Sequence, residues 1–161
     1  MAYMQWSQDL ETGISVIDVQ HRRIIDYINK LDHASQTGNA AEVKRVLEQL
    51  VDYTLTHFQF EEELQERANY PFLKAHRRVH DIFKKRIAIF LGRANAGEDV
   101  IPELMELLRV WLSSHIKGDD RDYVHAVQMI AGANDQESAG WLASTLQRLF
   151  GAQAPVSGRS A

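Results

Sequence analysis

The sequence predicts an all-α protein, an up-down-up-down four-helix bundle with an N-terminal arm and a short C-terminal helix. Three observations predict it. Four segments repeat apolar residues at steps of three and four, the spacing of one helix face. No segment shows the two-residue alternation of a strand. The joins between the four segments are short and rich in turn residues, which favours antiparallel neighbours in a bundle.

Residues 1–17 read as the arm, with Trp6 and Leu10 as anchors and Gly13 as a break. The first helix is expected to start at Asp18, a suitable N-cap, and to reach Gln36. Its stripe is Ile17, Ile24, Ile25, Ile28 and Leu31. Thr37-Gly38-Asn39 closes it and opens the second helix, expected from Ala40 to Arg67 with Val43, Val46, Leu47, Leu50, Leu55, Phe58 and Leu64 inward. Asn69-Tyr70-Pro71 is a turn, and Pro71 suits the first turn of a helix. The third helix then covers Phe72 to Leu91, with Val79, Phe83, Ile87 and Phe90 inward. After a polar loop, Pro102 opens the fourth, whose stripe is Leu104, Leu108 and Trp111 and which continues past Gly118 to Ile130. The domain is therefore expected over residues 1–132. Residues 133–161 read as a linker, a short amphipathic helix at 139–150 carrying Trp141 and Phe150, and a polar tail. That helix either packs back on the bundle or docks a protein partner.

The composition removes whole classes of function. The chain has 161 residues and a formal charge of −4, which argues against a nucleic-acid partner. It has no cysteine, so disulfides, thiolate zinc sites and cysteine-ligated clusters are excluded. The N-terminus carries no secretory pattern, and no run is long enough for a membrane span. A cytoplasmic monomer is expected.

Histidine carries the functional signal. Seven are present, and five fall inside the apolar stripes. Ile17 leads to His21. Leu50 leads through Thr54 to His57 and Glu61. His76 and His80 lie between Phe72 and Phe83, and Trp111 leads to His115. A buried polar group without a partner costs several kcal/mol, about 2–7 by reference state, and a carboxylate costs more. Five imidazoles and a carboxylate on core faces need a common partner, and a bound cation is one. In an alternating bundle the start of the first helix, the end of the second, the start of the third and the end of the fourth meet at one end. His57 with Glu61 and His76 with His80 are i,i+4 pairs, one turn apart on one face. His33 and His125 lie off this end and read as surface residues. The fourth helix offers Asp119 and Asp120. Asp119, at i+4 from His115, fits an ideal helix. Asp120, at i+5, lies about 140° round the axis and converges only through a π-type turn. Spacing alone favours Asp119.

Asp18-Val-Gln-His21, His57-Phe-Gln-Phe-Glu61, His76-Arg-Arg-Val-His80 and His115-Ile-Lys-Gly-Asp-Asp120 together resemble the hemerythrin family, in its bacterial single-domain form. Trp6, the Leu10 to Ile14 run, Trp111-Leu112 and Tyr123 add to the likeness, which spans residues 4 to 130. The resemblance implies a non-haem di-iron protein that binds dioxygen reversibly for storage, transport or delivery, and not an enzyme. It selects Asp120 over Asp119. It implies one iron on His76, His80 and His115 and the other on His21 and His57. Glu61 and Asp120 would bridge them, with an oxo or hydroxo group as third bridge, and dioxygen would bind at the two-histidine iron. Leu112, one turn before His115, either lines that pocket or packs the core. The alternatives are an oxygen or redox sensor and a di-iron enzyme acting on nitric oxide or peroxide. The Glu-x-x-His pairs of ferritin-like enzymes and the His-Glu-x-x-His of zinc peptidases are both missing. Haem ligation would leave the carboxylates unexplained.

Overall fold

The computed structural model describes residues 1–131 and 135–151. After a short helical turn at Gln8–Leu10, the chain forms α1 (Ser15–Thr37), α2 (Ala40–Arg67), α3 (Leu73–Asn95), α4 (Ile101–His115), a π turn (Ile116–Asp120), α5 (Arg121–Ala131) and α6 (Asp135–Phe150). The described residues contain no strand, and the all-α bundle is the observed architecture. The fourth expected helix is α4, the π turn and α5 in series. No helix among the described residues is long and apolar enough to cross a membrane.

The joins follow their residues. α1 ends on Gly38 at φ 71°, a left-handed position that favours glycine. The Asn39 side chain then accepts from the Glu42 amide at 3.1 Å and starts α2. Asn69 turns the chain after α2 at φ 51°, a conformation Asn tolerates better than most residues.

Several expected boundaries move. α1 starts at Ser15, three residues before Asp18. The Asp18 carboxylate turns back instead, accepting from the Thr12 amide and hydroxyl at 2.8 Å and the Gly13 amide at 3.1 Å. An acid in the first turn faces the positive end of the helix, and here it also ties down the arm. α3 runs on to Asn95. The expected linker is largely helix, because α6 starts at Asp135. Residues 132–134 and the polar tail at 152–161 lie outside the described residues.

The core holds Ile17, Ile24, Ile28 and Leu31 from α1, Leu50, Phe58 and Leu64 from α2, Phe83 and Ile87 from α3, and Leu104, Leu108 and Leu112 from α4. Two residues expected inward are not. Leu55 is 41% exposed, since the buried row runs through Thr54 and Phe58 and places residue 55 about 100° away. Phe72 precedes the first residue of α3 and is 65% exposed.

α6 lies along α2. Phe150 is buried against Tyr53 and Phe60, with ring centroids at 5.3 and 6.1 Å. Trp141 sits under the Arg67 guanidinium, and Arg148 pairs with Glu63. Deleting residues 135–161 is therefore expected to destabilise the bundle by about 3 kcal/mol or more, the scale of removing one packed Phe or Trp. Urea denaturation checks this. An unchanged midpoint and slope would make α6 a docking element instead.

Candidate metal centre

The four helix ends do meet. His21, His57, Glu61, His76, His80, His115 and Asp120 are all buried at one end of the bundle, while His33 and His125 are exposed. The seven side chains divide into two groups. Ligand atoms of Glu61, His76, His80, His115 and Asp120 lie within 4.8 Å of one another, as do those of His21, His57 and Glu61.

The two carboxylates stand between these groups. Glu61 turns Oε2 to His76 Nε2 at 3.0 Å and His80 Nε2 at 3.1 Å. Its Oε1 faces His57 Nε2 at 3.9 Å. Asp120 turns Oδ1 to His115 Nε2 at 3.0 Å and Oδ2 to His21 Nε2 at 3.1 Å. Each carboxylate thus gives one oxygen to a three-imidazole side and the other to a two-imidazole side.

Asp120 reaches this position through the π turn at Ile116–Asp120. The wider turn offsets the extra residue between His115 and Asp120, which an ideal helix would carry round the axis. Asp119, favoured by simple spacing, is 44% exposed at its side chain and takes a different place. It accepts from His115 Nδ1 at 2.9 Å. His80 Nδ1 likewise donates to Glu62 Oε1 at 2.8 Å, and His57 Nδ1 to Gln20 Oε1 at 2.6 Å. Acceptors at Nδ1 hold the proton there and leave each Nε2 lone pair facing inward, the tautomer a metal ligand needs. Tyr123, fully buried, donates its hydroxyl to Glu61 Oε1 at 2.5 Å.

Spacing singled out Asp119, at i+4 from His115, but as a ligand and not as the acceptor at Nδ1. Gln20 and Glu62 serve histidines on other helices, so no local spacing exposes them.

Without a cation the site is electrostatically awkward. Burial pushes the His57 imidazole down to about 3. Burial also opposes charge on His115, yet Asp120, Asp119 and Glu61 hold it up to about 12. His80 is raised as well, by Glu61 and Glu62 against its burial. Burial would raise Glu61, but the imidazoles around it hold it well below the usual carboxylate range. His21 Nδ1 and Nε2 and both Asp120 oxygens are buried without a hydrogen bond. The Nε2 atoms of His80 and His115 face each other at 3.0 Å. Imidazole and carboxylate donors suit iron, and the orphaned atoms are those a cation would satisfy. The donor set fits a pair of iron ions.

All seven side chains lie within residues 12–127, which match the family description "Hemerythrin HHE cation binding domain". The chain belongs to the hemerythrin family. It is 48% identical to a bacteriohemerythrin of Stenotrophomonas maltophilia (strain R551-3) over 94% of this chain and all of that protein. It is 47% identical, with the same coverage, to a bacteriohemerythrin of Pseudomonas aeruginosa (strain LESB58). A solved structure described as "Crystal structure of hemerythrin:wild-type" superposes with a TM-score of 0.74 at 31% identity, over 78% of this chain and 98% of that one. A match over 94% of the chain takes in at least part of α6, so that helix lies within the stretch shared with these hemerythrins.

The Nδ1 acceptors give a graded test. Asp119→Ala and Glu62→Ala are each expected to weaken iron binding by about 10–100-fold without emptying the site. Competition against a chelator measures it. Affinities equal to the parent chain's would show these carboxylates to be bystanders.

Proposed function

We propose that this chain binds dioxygen reversibly at a pair of iron ions and serves as an oxygen store or carrier. His76, His80 and His115 hold one iron, His21 and His57 the other. Glu61 and Asp120 bridge the pair, together with an oxo or hydroxo group. The observation that supports this most strongly is the division of both carboxylates between a three-imidazole and a two-imidazole side. When bound, the iron pair would supply the two electrons that dioxygen takes up, with His21 and His57 holding the iron that takes it.

The protein's part is to position and to exclude water. Gln20, Glu62 and Asp119 fix the rings of His57, His80 and His115. Phe58 stacks on His80 at 3.9 Å and Trp111 on His115 at 4.4 Å. Leu112 is buried one turn before His115 and is assigned to the wall of the oxygen pocket. The functional unit in this reading is residues 1–132, with α6 as a covering element. Five imidazoles against two bridging carboxylates make a site less anionic than the carboxylate-rich ferritin-like centres. That favours holding dioxygen over cleaving it, so storage is preferred to catalysis.

The test is direct. Anaerobically iron-loaded protein is expected to hold two irons per chain, to gain visible absorption on aeration and to lose it under vacuum with dioxygen recovered. Oxygen consumed and not returned, or steady turnover of nitric oxide or peroxide, would replace the carrier by an enzyme.

A further inference from the structure

α3 presents two opposite faces. Its inner face carries His76 and His80. Its outer face is basic and apolar, and no described element covers it. The helix contains seven lysines and arginines and one aspartate, in a chain whose formal charge is −4. Three of the cations are paired: Arg77 with Glu62, Lys84 with Asp81, and Arg93 with Glu98 and Glu103. Lys74, Arg78, Lys85 and Arg86 are exposed and have no anionic partner among the described residues. They flank Ile82 and Ile89, exposed at 55% and 63%.

Beside this face a groove runs between α3 and α4. Arg86, Phe90, Leu107 and Trp111 line it, together with Glu103 and Glu106, whose charges are taken up by Arg93 and Arg109. Half-buried Trp111 reaches from the groove to the interior, where its ring stacks on His115 at 4.4 Å and 16° and on Phe83 at 3.7 Å. An aromatic path therefore joins an open groove beside the unpaired α3 cations to one of the imidazoles assigned above to the three-histidine iron.

We propose that the α3–α4 face docks an acidic one-electron carrier protein, which re-reduces the iron pair through Trp111. The inference rests on the di-iron reading. Each encounter oxidises the carrier by one electron and reduces one ferric ion to ferrous. Two encounters return a diferric pair to the diferrous state, and no bond is made or broken. Four unpaired cations select an acidic surface and disfavour a second copy, whose α3 would bring the same charges. An anionic lipid surface would also meet the cations, but it supplies no electron and leaves the Trp111 path without a use. Redox encounters are small, typically under about 1,200 Å² in total, which suits one helix face and its groove. Complementary charge acts mainly on the rate of encounter and makes it fall with salt.

The experiment uses the iron-loaded chain and a plant-type [2Fe–2S] ferredoxin, an acidic one-electron carrier, as probe. Calorimetry reads its binding in oxidised form, and stopped-flow absorbance reads the reduction of the diferric protein by its reduced form. Dithionite serves as a small reductant. Binding and ferredoxin-driven reduction are expected to weaken steeply with ionic strength. Both are expected to fall at least about tenfold in a chain carrying Arg78→Glu, Lys85→Glu and Arg86→Glu. Iron content, helicity and dithionite reduction are expected to stay unchanged in that variant. Trp111→Leu is expected to slow transfer at saturating ferredoxin while keeping the salt dependence of binding. Ferredoxin binding and reduction insensitive to both salt and charge reversal would overturn the proposal. So would a charge-reversal effect confined to co-sedimentation with phosphatidylserine vesicles, which would assign the face to a membrane. A chain that holds no iron would refute the di-iron reading and the electron step together. Calorimetry, which needs no iron, tells that failure apart from a failure of docking.

Discussion

Glu61→Ala is expected to lose both irons, whereas His57→Ala loses one. The contrast follows from where each group points. Glu61 gives one oxygen to the His76 and His80 side at 3.0–3.1 Å and presents the other to His57 at 3.9 Å. On the proposed assignment, its removal would take a ligand from both irons and leave Asp120 as the one bridging carboxylate. The remaining buried unit would then be one charge more positive, in surroundings where charge is poorly screened. The loss of affinity is expected to exceed the 10–100-fold typical of losing a partner outside the ligand set, that is, more than about 100-fold.

His57 touches only one side of the site. Its removal leaves His21, Glu61 and Asp120 around the second position and all three imidazoles around the first. Elemental analysis after gel filtration is expected to give close to two irons in the parent, one in His57→Ala and none in Glu61→Ala. Glu61→Gln controls for folding, because its amide oxygen can still accept from the Tyr123 hydroxyl that now bonds Oε1 at 2.5 Å. Two irons retained in a folded Glu61→Ala chain would end the bridging assignment.

Much of this arrangement could be read from spacing because a core stripe tolerates few polar residues. His21, His57, Glu61, His76, His80 and His115 each stand where the three-and-four step calls for an apolar side chain, and all six are buried. Asp120 shows where that reasoning ends. An ideal helix turns residue 120 away from His115, and only the π turn brings it back. Spacing pointed to Asp119, and the resemblance to a known family supplied Asp120. Asp18 misled for a related reason. An acid near a helix start suits both the cap and the first turn, and the free donors of Thr12 and Gly13 decided between them. Gln20 and Glu62 are pairings across helices, which a pattern within one helix does not carry. The length of α6 was hidden because its first turn, from Asp135, lacks large apolar residues and so resembles a linker.

Removing the iron is expected to lower the melting temperature by about 8–16 °C. A ligand present at about 1,000 times its dissociation constant stabilises the folded state by about 4 kcal/mol, and each kcal/mol is about 2–4 °C in a chain of this size. Calorimetry with and without a chelator measures it, and equal melting temperatures would contradict a resident metal. The loss has a predicted location. The far end of the bundle is held by Leu31, Leu47 and Leu104, apolar contacts that need no cation. The π turn is different. It is an uncommon conformation, and both oxygens of the Asp120 it directs inward lack a hydrogen bond. On the proposed assignment, ligation by Asp120 would give the turn its reason to persist. In the metal-free chain, amide exchange at 116–121 is therefore expected to accelerate more than exchange around Leu31 or Leu104. Uniform acceleration along the chain would mean that the metal stabilises the bundle as a whole and that the π turn is held by packing alone.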